Sequence, residues 1–267
     1  MRQLILLLVC LPALSQVTAP EDDYADLLRR CAQHETSSLS AGQHFQFMER
    51  TEQSWGSETR VVIETDEGRA DRIVAYNDLL LGPEEQRKQQ HRLEKFLRDS
   101  DAKKDELNDQ REEIVRRINM ARVLPDAVLL QFSGKEENGQ LRFSFSPNPR
   151  FDPPTREAQV YKGMRGMLWI DPASERIVRV QGDLFKDVNF GWGILGRLSK
   201  GGHYELAQAE ASPGVWRITT MNLNFHGRML LLRTFSIMRK ESSSRFAPAP
   251  PDITYAQAVR KLLAEYE

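Results

Sequence analysis

The chain has 267 residues, with 37 Lys and Arg against 38 Asp and Glu, and two cysteines. This near-neutral balance, without interleaved basic and aromatic runs, offers no electrostatic footprint for nucleic acid. Only Cys31 follows the apolar leader described next, so an internal disulfide cannot hold the fold. The remaining chain, about 250 residues, is long enough for one domain that buries roughly 70–75% of its unfolded surface.

"MRQLILLLVCLPALSQVTAP" places Arg2 before an apolar run from Leu4 to Leu14, followed by small residues. This pattern predicts a signal peptide over 1–15, with cleavage after Ser15 favoured and after Ala19 the alternative. Cys10 follows Val9 with apolar residues continuing beyond it, which does not fit a lipidation site. No later stretch reaches the ~18 to 20 apolar residues of a membrane span. The processed chain, 20–267, is expected to be exported as a single domain.

In "EDDYADLLRRCAQHETSSLS", Tyr24, Leu27, Leu28 and Cys31 share one helical face. Cys31 is therefore expected to be a packed core thiol rather than a nucleophile. "QHFQFMERTEQSW" then alternates, with Phe45 and Phe47 on one side, and "ETRVVIETDEG" and "RADRIVAYNDLLL" continue as strands. Pro83 opens a charged helical insertion to Arg122, with Leu93, Phe96, Leu97, Leu107, Ile114, Val115 and Ile118 at helical spacing. Its middle, "RDSDAKKDE", fits two helices or one with a solvated centre. The interspersed charges fit a solvated face; a coiled coil would need a longer apolar seam.

After "LPDA" the period returns to two. "VLLQFSGKEENGQLRFSFSP" predicts a hairpin turning at Asn138–Gly139, and "VYKGMRGMLWIDPASERIVRVQGDLF" a second turning at "DPAS". "HYELAQAEA", "GVWRITTMNLNF" and "RMLLLRTFSIMRK" predict three more strands, the last two joined through His226 and Gly227. In the final strand Leu230, Leu232 and Met238 take one face, and Met229, Leu231, Phe235 and Ile237 the other. A helix over 254–266 closes the chain, with Thr254 and Gln257 as a capping box and Tyr255, Ala258, Val259, Leu262, Leu263 and Tyr266 as its stripe. The fold class is α+β, built on one large curved antiparallel sheet.

"FGWGILGRLSKGG" places Gly191, Gly193 and Gly196 in the G-x-G-x-x-G spacing of a dinucleotide turn. That fingerprint requires a strand before it and a helix after it. Here Gly201 and Gly202 leave no room for the helix, and antiparallel strands follow. Two readings stand: an irregular connection at a sheet edge, or an apolar loop gating a lipid-sized cavity. There is no G-x-S-x-G elbow or H-E-x-x-H helix, and His34, His44, His91, His203 and His226 stand singly. His203 and His226 could meet across strands, and Glu64, Asp66 and Glu67 cluster at a turn. Neither group is a sufficient catalytic or metal set.

The leader, the first helix, the early strands, the hairpin "GMLWIDPASERIVRVQG" and the run "VWRITTMNLNFHGRMLLLRTFSIMRK" resemble the LolA-like superfamily. That superfamily comprises exported lipoprotein carriers and RseB-type envelope-stress sensors. The resemblance implies an antiparallel half-barrel closed by helices around a cavity for acyl chains, and a periplasmic location. The insertion is longer than a minimal carrier needs, and no single ligand-contacting residue carries over from the family. Apolar side chains on both faces and glycine-flanked aromatics suit a greasy pocket with few polar contacts. Its candidate lining is Phe45, Phe47, Trp169, Trp192, Trp216, Leu230 and Leu232, each of which fits plain core equally well.

The leading expectation is a non-enzymatic carrier or binder of lipid or lipidated protein, with no metal or organic cofactor and with transient contact with a membrane surface. The alternatives are a sensor or protein-interaction module using the charged insertion, with an envelope protein as partner, and a hydrolase with carboxylates not grouped by the sequence.

Overall fold

A computed structural model gives the fold and describes residues 21–40, 43–190, 196–229 and 233–265. The leader, Trp192, Leu230, Leu232 and Tyr266 lie outside the described residues. Helix α1 (Glu21–Ser40) precedes a meander of β1 (Phe45–Gln53), β2 (Gly56–Glu64), β3 (Arg69–Tyr76) and β4 (Leu79–Leu80). Helices α2 (Pro83–Arg98) and α3 (Ser100–Ala127) form the insertion. Then come the hairpin β5 (Val128–Lys135) and β6 (Leu141–Pro147), a 3-10 helix (Glu157–Gly163), and the hairpin β7 (Met164–Asp171) and β8 (Arg176–Leu184). Short strands β9 (Val188–Phe190) and β10 (Gly196–Leu198) lead to β11 (His203–Ser212), β12 (Val215–Met229), β13 (Arg233–Pro248) and α4 (Tyr255–Ala264).

The molecule is thus α+β, with one antiparallel sheet of 13 strands among the described residues, ordered β4-β3-β2-β1-β13-β12-β11-β8-β7-β6-β5, with β9 and β10 beside β12. The last strand returns to pair with the first, Thr51 opposite Glu241 and Gln53 opposite Arg239. One sheet therefore unites the early and late meanders, although the helical insertion separates them in sequence.

The insertion divides where its apolar spacing lapses. Asp99 ends α2 and caps α3, its side chain accepting from the amides of Asp101 and Ala102 at 3.0 Å each. An oxygen at this position satisfies amides that the first helical turn leaves unpaired. The helix also runs past Arg122 to Ala127, with Pro125 inside its last turn. The expected boundary therefore moves five residues later. The proline removes one amide donor from this terminal turn without ending the helix.

A second correction concerns His226 and Gly227, which lie within β12 rather than in a turn. Gly227 is opposite Phe235. A Cβ at Gly227 would lie 2.2 Å from the Arg197 carbonyl oxygen and 2.9 Å from the Phe235 ring. The glycine here admits a neighbouring backbone into close approach, which a sequence reading mistakes for a turn signal.

Strand alternation assigns the helices to two faces. Phe47 lies opposite Val62, and from Thr51 the register carries the same face through Glu241, Met221, Leu206, Val180 and Leu168 to Phe143. On this α1 face, Leu27, Leu28 and Cys31 pack with Phe143, Leu168, Ile170, Leu184 and Phe225. On the opposite, α4 face, Val61, Ile63 and Ala70 pack with Tyr255, Ala258, Val259 and Leu262, and with Leu93 of α2. The Thr254–Gln257 capping box expected from the sequence is present.

The exposed edge of β3 is closed by side chains. Gln110 of α3 accepts from the Arg69 amide at 2.7 Å and donates to the Arg69 carbonyl at 2.9 Å, as another strand would. Arg92 of α2 donates to the Asp71 carbonyl at 2.6 Å, and the Leu81 amide to the Val74 carbonyl at 3.1 Å. An edge with its backbone groups occupied no longer offers a template for another chain.

Candidate ligand-binding face

The α1 face changes character along the sheet. Beneath α1, α3 and the 3-10 helix it is a packed apolar layer, onto which Tyr204 and Leu223 also pack. Burial pushes the Tyr204 phenol up to about 12, so it stays neutral at physiological pH. From Phe225 the same face continues across the register to Ile237 and from Gly227 to Phe235. Phe235 is half-buried and Ile237 is 44% exposed.

Farther along, toward β1, this face becomes a layer of paired charges. Arg69 donates to Glu49 at 2.7 Å, Arg217 lies 3.4 Å from Glu64, and Arg239 pairs with Glu241. Arg60 pairs with Glu58 and lies 3.6 Å from Asp71. Burial lifts the Glu241 carboxyl above its ordinary value, with Arg239 acting in the opposite sense. Phe45 and Phe47 are buried beside this layer with Val62 and Phe246, under the guanidinium groups of Arg217 and Arg69. Cations over aromatic faces keep their charge while covering apolar surface.

The sequence candidates therefore do not converge on one lining. Phe45 and Phe47 share the α1 face, with Phe47 stacked on Phe246 at 5.1 Å. Trp169 alternates with the buried Leu168 and Ile170, so it points to the α4 face. There its indole donates to Glu136 at 3.0 Å and Arg179 lies over its ring. Trp216 sits between Val215, which packs on the Phe45, Phe47 and Val62 cluster, and Arg217, whose guanidinium lies over the Phe45 ring. Trp192, Leu230 and Leu232 lie outside the described residues. Sequence reading missed the charged layer and the place of Phe235 and Ile237 beside Phe225. The alternation of "FSIM" gives their common face, but only the pairing of β13 with β12 tells which face that is.

Other residues singled out in the sequence have structural partners. Cys31 is 1% exposed, and burial pushes its thiol up to about 12. Glu64 accepts from the Phe45 amide at 3.1 Å, Asp66 pairs with His44 at 2.7 Å, and Glu67 pairs with Lys103 at 2.6 Å. The turn carboxylates are thus tied to the start of β1, to the residue just before it, and to α3. His203 lies opposite Asn224 and bonds Asp183 at 2.8 Å, whereas His226 lies opposite Ser236. Among the described residues no group of three or more His, Cys, Asp or Glu side chains is placed to hold a metal. Gly196 belongs to β10, which pairs antiparallel with β9. The glycine fingerprint is therefore flanked by two paired strands rather than by a strand and a helix.

Two open hollows lie on the insertion. One of about 390 Å³ is lined by Glu84, Arg87, Lys88 and His91, and one of about 500 Å³ includes Arg111, Glu112, Val115 and Glu157. No described helix is long and apolar enough to cross a membrane. Comparison with protein-family models, curated proteins and solved structures gives no match.

Proposed function

We propose that the chain is a non-catalytic binder of acyl chains, carried by a lipid or a lipidated protein, and that it works in the periplasm. In this reading the sheet curves into an unclosed half-barrel of LolA-like type, and the ligand lies along its α1 face. The carrying observation is that the apolar layer beneath α1 continues past Phe225 to Phe235 and Ile237, where Ile237 is nearly half exposed. An order of strands that begins at β4 and ends at β5 without meeting also supports an open trough. Each ligand methylene buried there would contribute about 0.8 kcal/mol, so an acyl chain needs no buried charge to bind. The charged layer beside Phe45 and Phe47 would then bound the trough toward β1.

The test is titration of a fluorescent fatty-acid probe into the processed chain and into Phe235→Asp and Ile237→Asp variants. A carboxylate in the trough should weaken binding at least about tenfold, because burying a charge without a partner is costly. Equal affinity in both folded variants would overturn the proposal. A second reading, a protein-binding module, is favoured by α3, whose 28 residues bury only Leu107 and Ala127. It requires a partner protein that is lost when 83–122 is shortened.

A further inference from the structure

The exposed large apolar residues are concentrated at one end of the sheet. Register fixes that end: β1 and β13 pair down to Gln53 opposite Arg239, so the β1–β2 turn lies next to Met238. Beyond it, Arg233 to Met238 continue paired with β12, projecting roughly 20 Å at ~3.4 Å per residue. The β3–β4 turn belongs to the same end, since Glu58 of β2 faces Tyr76, which faces Leu79. These tips carry Trp55 at 63% exposure, Leu79 at 74%, Leu80 at 84%, Met229 at 48% and Met238 at 40%.

The leucine tip is held by specific bonds. Asn77 and Asp78 both adopt positive φ, 49° and 62°, as a two-residue hairpin turn of the primed type requires. The Asn77 side chain accepts from the Ser57 amide at 2.9 Å, and Arg50 grips both oxygens of Asp78 at 2.7 and 2.9 Å. A Cβ at Gly56 would lie 2.5 Å from the Asn77 side-chain oxygen. Polar side chains thus brace a turn whose leucines face solvent.

Charge indicates what such an end meets. Between Glu210 and Glu241 the sequence has no Asp or Glu, and β12 and β13 bring Arg228 and Arg233 to the tip of this end, while Arg239 pairs with Glu241 and Lys240 lies 3.9 Å from Glu52. Nearby acids are engaged: Asp78 and Glu52 with Arg50, and Glu84 with Lys88, while Glu85 lies in the first turn of α2. Exposed Trp and Leu on braced turns, flanked by cations, have the chemistry of a surface that enters a lipid interface.

We propose that this end of the sheet docks reversibly on anionic phospholipid membranes. Trp55, Leu79 and Leu80 enter the interface, and the cations of the β12–β13 hairpin face the headgroups. The claim stands independently of the acyl-binding reading, because none of these three apolar residues belongs to the trough.

The test is flotation of the processed chain with vesicles of phosphatidylcholine alone and of phosphatidylcholine with phosphatidylglycerol. Binding is expected to the anionic vesicles only, and to fall as salt is raised. The double variant Leu79→Asp, Leu80→Asp should lower it at least about tenfold, since each leucine withdrawn from water contributes at least that factor. Arg228→Glu and Arg233→Glu should each cost about fivefold or more. All four positions are exposed, and circular dichroism checks that the variants fold. Absence of binding to anionic vesicles, or equal binding by the folded leucine variant, would overturn the proposal. So would concentration-dependent self-association abolished by the leucine variant without vesicle binding. Retained fatty-acid-probe binding in the leucine variant would separate this result from the proposed function.

Discussion

Replacing Gln110 tests how far a helix can substitute for a missing strand. Its amide makes two bonds to the Arg69 backbone, at 2.7 and 2.9 Å. Each such bond contributes about 0.5 to 1.5 kcal/mol net, so Gln110→Ala should cost about 1 to 3 kcal/mol. For a chain of this size that lowers Tm by roughly 2 to 4 °C per kcal/mol. Gln110→Glu keeps the acceptor for the Arg69 amide but sets a carboxylate oxygen against the Arg69 carbonyl, so it should recover only part of the loss. Urea denaturation measures the cost, and hydrogen exchange of the Arg69 amide locates it. A Gln110→Ala variant within about 0.5 kcal/mol of the parent, with Arg69 exchange unchanged, would refute the pairing.

Three further outcomes are expected. Thr254→Ala removes the hydroxyl that accepts from the Gln257 amide and should cost about 1 kcal/mol in denaturant titration; no change would mean that α4 is held by its apolar stripe alone. Lys103 and the Tyr255 amide hold Glu67 below its ordinary value of 4.5. Its contribution is therefore present above that value and is lost as pH falls through the lower folded value. Glu67→Gln should flatten the acid limb of a stability–pH curve, and an unaltered limb would contradict this. Cys31, with its thiol pushed up to about 12 and 1% exposed, should resist a thiol reagent at neutral pH until the chain unfolds; rapid labelling of the native protein would place it elsewhere.

Much of the architecture is written in local periodicity. Tyr24, Leu27, Leu28 and Cys31 mark the buried stripe of α1, and Thr254 with Gln257 marks the start of α4, because helical spacing and capping act over a few residues. What the sequence hides depends on partners distant along the chain. Gly227 resembles a turn glycine, yet its need is set by the approach of the Arg197 carbonyl. Gln110 resembles any surface glutamine of a charged helix, and only the position of the β3 edge gives it a task.

The candidate site was less legible for the same reason. Trp169 shares its chemistry with Phe45 and Phe47 but stands on the opposite face of the sheet. Aromatic content carries no record of facing, and a register shift between Ala207 and Gln208 means that counting along β12 does not give the facing of Trp216. The return of β13 beside β1 sets Phe235 and Ile237 outside the span of β1 on the α1 face. That pairing joins residues nearly two hundred positions apart, beyond what a periodic pattern can encode.

The decisive experiment is native mass spectrometry of the purified chain followed by organic extraction. A bound acyl-chain species is expected, and it should be lost in the Phe235→Asp, Ile237→Asp double variant. A clean unliganded mass that takes up no added fatty acid or phospholipid would contradict the acyl-binding proposal.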